Sequence, residues 1–201
     1  MLNAKEIYAL ADKCDFKAIK ELCIVQIRTD EAEKAGKQAT SKTRITALKN
    51  CLSKDNVNLM KSFMEEDKHC FCNGYLGIVM NEVVPEIPIG EKTFKMKMVE
   101  SVEQANCNGY LESASAIKTD ITGTIADFKV RKMQDKKSEM FPTVIEKTCK
   151  IGFNPIYMND AIMALGGYDE VNITYPERAT NPIYLESHYG MGMVLPIKIK
   201  E

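Results

Sequence analysis

The stretch Ile151-Gly152-Phe153-Asn154-Pro155-Ile156-Tyr157-Met158-Asn159-Asp160-Ala161-Ile162-Met163-Ala164-Leu165-Gly166-Gly167 decides how this chain folds. Asn154 offers a side-chain cap, and Pro155 stands at the first helical position, where a missing N–H costs nothing. Tyr157, Ala161 and Leu165 recur at helical spacing with Met158 and Ile162 beside them, so this face is expected to be buried. Gly166-Gly167 ends the helix. Three strands are predicted after it, over 170–175, 182–186 and 191–199. A strand, a helix and three further strands call for an α+β architecture, with helices packed on one face of antiparallel sheets.

Working outward, Lys68 to Val84 reads as two strands around Asn73-Gly74, a dipeptide that favours a tight hairpin turn. Pro85 and Pro88 interrupt the pattern and Gly90-Glu91-Lys92 reads as a linker. That places a domain boundary near residue 90, between an N-terminal helix-rich unit (1–90) and a C-terminal unit (91–201). Upstream, residues 3–13 read as a helix capped by Asn3 with Glu6 three positions on. A second helix starts near Asp15. Whether Leu22 to Ile27 continues it or turns to strand stays open, although the β-branched content leans to strand. Residues 29–42 read as a helix end and a loop, and Ile45, Leu48 and Leu52 mark a helix from Thr43 to Ser53. Downstream, 93–99 alternates as a half-exposed strand, Ser101 caps a helix to about Ala116, and 121–133 reads as strand, as does 144–153. No internal repeat is visible.

The stretch 151–165 resembles a helix-bearing segment of the bacterial DNA polymerase III beta subunit family, the replicative sliding clamps. The likeness continues through Glu170-Val171-Asn172-Ile173 and Asn181-Pro182-Ile183-Tyr184-Leu185 to Val194-Leu195-Pro196-Ile197-Lys198-Ile199, which is similar to the family's C-terminal end. Cys72-Asn73-Gly74-Tyr75-Leu76 looks like the family's Thr-Asp-Gly-Tyr hairpin, and Ala47 to Lys54 is similar to the first helix of its domains. The resemblance implies DNA-clamp-like domains, with 91–201 one of them and 1–90 either a degenerate copy or an unrelated helical unit. It further implies a non-catalytic replication accessory (processivity) factor, a homo-oligomer around double-stranded DNA held without sequence preference. DNA polymerase or other clamp-binding proteins would dock in an apolar pocket whose counterparts here are Tyr157, Leu195, Pro196, Ile197 and Lys198, with Pro182 a looser match. Tyr157, Leu195 and Ile197 also read as plain core.

Charge qualifies that picture. The chain has 27 Lys+Arg and 28 Asp+Glu, for a formal net charge of −1. Residues 1–61 carry 12 basic against 8 acidic side chains, and the rest 15 against 20. A uniformly basic nucleic-acid binder is excluded, and any phosphate-facing surface belongs in the first third. Its candidates are Lys5, Lys13, Lys17, Lys20, Lys42, Arg44, Lys49 and Lys54, which equally read as solvated helix faces. The 155–165 helix carries no Lys or Arg, and its predicted exposed side chains are Asn159, Asp160 and Met163.

No phosphate loop, nucleophile elbow or zincin motif is present, His188 has no nucleophile at a telling spacing, and catalysis is not expected. Seven cysteines at irregular spacing form no disulfide framework. Cys70 and Cys72 read as two buried thiols on one strand face rather than a zinc site, so neither metal nor cofactor is expected. There is no apolar run near the roughly 18–20 residues of a membrane helix, and the N-terminus lacks a signal-peptide layout, so the cytoplasm is the expected compartment. Two rivals remain: a clamp-derived interaction protein that does not encircle DNA, such as a mobile-element replication modulator, and an unrelated α+β interaction module.

Overall fold

The structure, a computed structural model, describes residues 7, 9–11, 13, 15–36, 39–106 and 109–199. In chain order it forms α1 (Phe16–Gly36), α2 (Ser41–Asn50), β1 (Phe63–Glu65), β2 (Lys68–Cys72), β3 (Leu76–Met80), α3 (Met98–Ala105) and β4 (Tyr110–Ser113). Then follow α4 (Lys118–Gln134), β5 (Thr143–Glu146), β6 (Lys150–Phe153), α5 (Pro155–Ala164), β7 (Asn172–Tyr175), β8 (Ile183–Ser187) and β9 (Gly190–Val194). The expected α+β class, with helices laid on an antiparallel sheet, is what forms.

One seven-stranded sheet runs β1-β2-β3-β9-β8-β7-β4, and β5-β6 is a separate hairpin. The boundary expected near residue 90 does not divide this sheet. Strand β3, from before it, pairs with β9, the last strand of the chain, from Leu76↔Val194 to Met80↔Gly190. Read outward from that pair, the sheet repeats itself: β2 and β1 on one side, β8 and β7 on the other. Each triplet follows one helix, α2 or α5, and these two pack together. This pseudo-two-fold arrangement is invisible as a sequence repeat because only the alternation of apolar positions has to be kept.

Period-two alternation splits the core between the two faces. Phe71, Leu76, Ile78, Ile183, Leu185 and Val194 point to the side covered by α2, α4 and α5. Cys70, Cys72, Val79, Tyr184 and Met193 point to the other, where α3 seats Met98, Val99, Val102 and Ala105. Helices therefore cover part of both faces, and α3 is the exception to the one-sided expectation. The two thiols of β2 are buried on one face, as expected.

Several local expectations are overturned. The choice left open over 22–27 falls to helix rather than the favoured strand, and the helix end expected within 29–42 comes at Gly36, because α1 packs along α4 and packing outweighs β propensity. Residues 121–133 are helical, not strand: Ile121, Thr122, Ile125 and Ala126 are buried at helical spacing. The helix expected over 101–116 ends at Ala105, before strand β4, and Ser101 bonds Lys97 O inside α3 instead of capping it. Residues 93–97 join no ladder. The capping pair Asn3 and Glu6 lies outside the described residues.

The end of α5 is fixed by a Schellman pairing, with Gly167 N–H on Ile162 O (2.9 Å) and Gly166 N–H on Met163 O (3.4 Å). Gly166 adopts φ +121°, and an added Cβ would meet the Tyr189 ring at 2.9 Å. Gly166→Ala is expected to lower stability by about 1–3 kcal/mol in urea unfolding, from backbone strain plus that contact.

Candidate partner-docking site

Two local motifs build the aromatic centre of the site. In the β2–β3 turn, Asn73 Oδ1 accepts the N–H groups of Tyr75 and Leu76, each at 2.9 Å, and Gly74 supplies φ +92°. The turn projects the Tyr75 ring into solvent, 60% exposed. At the start of α5, Asn154 Oδ1 accepts from Ile156 N (2.9 Å) and Tyr157 N (3.5 Å). That cap sets Tyr157 against Tyr75, with ring centroids 5.7 Å apart and planes inclined by 12°. An offset stack of this kind makes a flat apolar platform.

The C-terminal segment closes the other side. Leu195 N–H donates to Tyr75 O (2.8 Å) and Ile197 N–H to Gly152 O (2.7 Å). Leu195 and Ile197 stay partly exposed, at 37% and 39%, so neither is plain core. The predicted pocket residues nevertheless fall into two clefts. Pro196, Ile197 and Lys198 line one of about 600 Å³ with Lys150, Gly152 and Thr180. Tyr157 lines another of about 360 Å³ with Tyr75, Lys54 and Asp160. Leu195 lies between them, and half-buried Pro182 lines neither. Sequence reasoning quoted Tyr75 within its hairpin motif but did not select it, since its role comes from a partner 82 positions away along the chain.

Asp160 is not the solvent-facing carboxylate the sequence implied. It is half-buried between α5 and α2, accepts Asn50 Nδ2 at 3.2 Å, and desolvation raises its pKa from 3.8 to about 6, against the pull of Asn50 and Lys54. Met163 is buried as well, and Asn159 Oδ1 accepts from Tyr168 OH (3.1 Å). Between pH 4 and 6 the folded chain therefore holds a proton at Asp160 that the unfolded chain has released, so the group destabilises the fold as pH rises through about 6. Asp160→Asn is expected to stabilise by about 1–2 kcal/mol at pH 7.5, below the full linkage value because the cleft admits water. The gain should vanish near pH 4 in denaturant titrations.

The lysines expected to face DNA are scattered. Lys42 and Lys49 are exposed on α2, and Lys54 follows it. Lys17 and Lys20 are exposed near the start of α1, with Lys13 just before it. Lys20 stands roughly 24 Å along that helix from Gly36, where the chain heads for α2. Lys5 lies outside the described residues. Arg44 is engaged internally: its guanidinium lies 3.4 Å from the Tyr189 ring centroid and its Nε donates to Ala164 O (3.3 Å) at the end of α5. Burial lowers its pKa, yet the contact places a cation at a helix C-terminus, where it is favoured. Among the described residues no group of three or more His, Cys, Asp or Glu could hold a metal. No described helix is long and apolar enough to cross a membrane.

No protein-family profile matches the chain. No curated protein matches it either. Among solved structures, it is similar to the beta subunit of DNA polymerase III from Thermotoga maritima, with a TM-score of 0.47 and 10% identity, over 82% of this chain and 65% of that one. The overlap thus spans less than two thirds of the bacterial subunit, and it is too loose to assign a family.

Proposed function

We propose that this protein is a clamp-like replication accessory factor that works by binding, and that polymerase-type partners dock at the Tyr75–Tyr157 platform and the Leu195–Lys198 segment. The observation that carries the reading is the convergence of three family-like sequence segments at one surface. The Asn73-Gly74-Tyr75 turn, the Asn154-Pro155-Ile156-Tyr157 helix start and the C-terminal segment meet through the tyrosine stack and the Leu195–Tyr75 hydrogen bond. An aromatic platform flanked by aliphatic side chains, with Lys54 and Lys198 at the rims, suits a short peptide whose apolar anchors are buried and whose ends stay wet.

Within this reading, two observations favour the form that does not encircle DNA. The strands of both halves share one seven-stranded sheet, beside the separate β5–β6 hairpin, and Arg44 is spent inside the fold while α5 offers phosphates no cation. A ring would need head-to-tail contacts that close, using the free edges at β1 and β4. Light scattering across a hundredfold range of protein concentration separates the two. A constant monomer mass and no salt-sensitive retention on circular over linear duplex DNA are expected, and a closed oligomer retained on circles would reverse the preference. Tyr157→Ala should weaken partner-peptide binding by about 1–3 kcal/mol in calorimetry while leaving the mass unchanged.

A further inference from the structure

The pseudo-two-fold axis through β3 and β9 gives the docking segment a counterpart in the other half. Leu195, just after β9, donates its N–H to Tyr75 O in the β2–β3 turn at 2.8 Å, and Asn81, just after β3, donates to Tyr189 O in the β8–β9 turn at 2.9 Å. Tyr75 lies against Tyr157 near the start of α5, and Tyr189 lies against Arg44 near the start of α2. The halves then diverge. After β9 the chain folds down onto Gly152 (Ile197 N–H, 2.7 Å). After β3 it is drawn toward β2 instead: Val84 N–H donates to His69 Nδ1 (3.0 Å), His69 Nε2 bonds Ser62 Oγ (2.8 Å), and Ser62 Oγ donates to Pro88 O (2.9 Å). His69 and Ser62 are fully buried, so the wall is fixed by a satisfied polar chain.

Held there, the 81–86 segment leaves a cleft of about 350 Å³ against α2. Its apolar lining includes Ile45, Leu48, Met80 and Val84. Glu82 and Glu86, both exposed, stand on its rim. Arg44 and His188 line it too: the Arg44 guanidinium is held against Tyr189 and Ala164 O and also feels the charge of Glu82, which leaves Glu86 as the rim carboxylate without that cation beside it. We propose that this cleft is a second docking site, taking an extended partner peptide with one bulky aliphatic anchor flanked by lysine or arginine. The volume is at the lower end of the roughly 300–1,000 Å³ of ligand pockets, which suits a single inserted side chain. The acidic rim selects the flanking charges by complementarity. The site lies in the half of the fold opposite the platform and does not depend on the replication reading.

The test is fluorescence anisotropy on the full chain with fluorescein-labelled Gly-Lys-Leu-Lys-Gly, its Gly-Glu-Leu-Glu-Gly counterpart, and an alanine-anchored control, Gly-Lys-Ala-Lys-Gly. The lysine–leucine peptide is expected to bind saturably below about 1 mM, with the other two at least about fivefold weaker. The double change Glu82→Lys, Glu86→Lys alters exposed side chains only and is expected to weaken it about tenfold. Tyr157→Ala should leave it unchanged within about twofold, since sites without shared partners behave independently. Absence of saturable binding, equal binding of the acidic or alanine peptide, indifference to the Glu82/Glu86 reversal, or loss on Tyr157→Ala would each overturn the proposal.

Discussion

The antiparallel pairing of β3 with β9, five residues from Leu76↔Val194 to Met80↔Gly190, holds the two halves in one sheet. Without it the β1–β3 and β7–β9 triplets would each expose an unpaired edge where the sheet is now continuous. With it, α2 and α5 meet on one face and share the cluster containing Leu48, Ile78, Ile162 and Val194. Even the close approach at the centre follows from the pairing: at Gly192, opposite Ile78, a Cβ would come within 2.7 Å of Ile78 Cδ1. The same register brings the chain after each central strand against the turn of the other half, which is how Leu195 reaches Tyr75 and Asn81 reaches Tyr189.

Buried polar groups in this fold are of two kinds, those closed into hydrogen-bond chains, which stiffen it, and those held in a desolvated setting with few partners. The His69–Ser62–Pro88 chain belongs to the first kind. His69 sits neutral, accepting at Nδ1 and bonding Ser62 at Nε2, and burial lowers its pKa. Arg44 is satisfied as well, between a ring and a helix-end carbonyl. Asp160 is the second kind, a desolvated carboxylate with one long hydrogen bond beside the tyrosine platform. A desolvated titratable group next to a cleft is where ligand binding and protonation can be linked.

How much could be read in advance depended on how local the cause was. The helix 155–164, its Asn154-Pro155 start and its glycine stop were legible, because capping and termination are decided within a few residues. The Asn73-Gly74 hairpin was legible for the same reason. Residues 22–27 and 121–133 were not. Their β-branched side chains favour strand, and only the packing of α1 on α4, with the Arg28–Asp127 ion pair (2.8 Å) at its exposed rim, makes both helical. The candidate pocket was legible only in part. Tyr157 and the 195–198 segment could be named, but their division between two clefts, the engagement of Arg44 and the burial of Asp160 all depend on contacts between distant elements.

By itself, then, the amino-acid order determined the α+β class, the caps, the tight turn and the cluster of family-like motifs toward the C-terminus, since each is set by neighbours along the chain. Tertiary structure alone decided that both segments flanking residue 90 share one sheet, that its two halves mirror each other, and that a second cleft opens beside α2. The physical reason is that β3 and β9 lie more than a hundred residues apart. Their register is chosen by which faces bury together, and no short window of sequence carries that information.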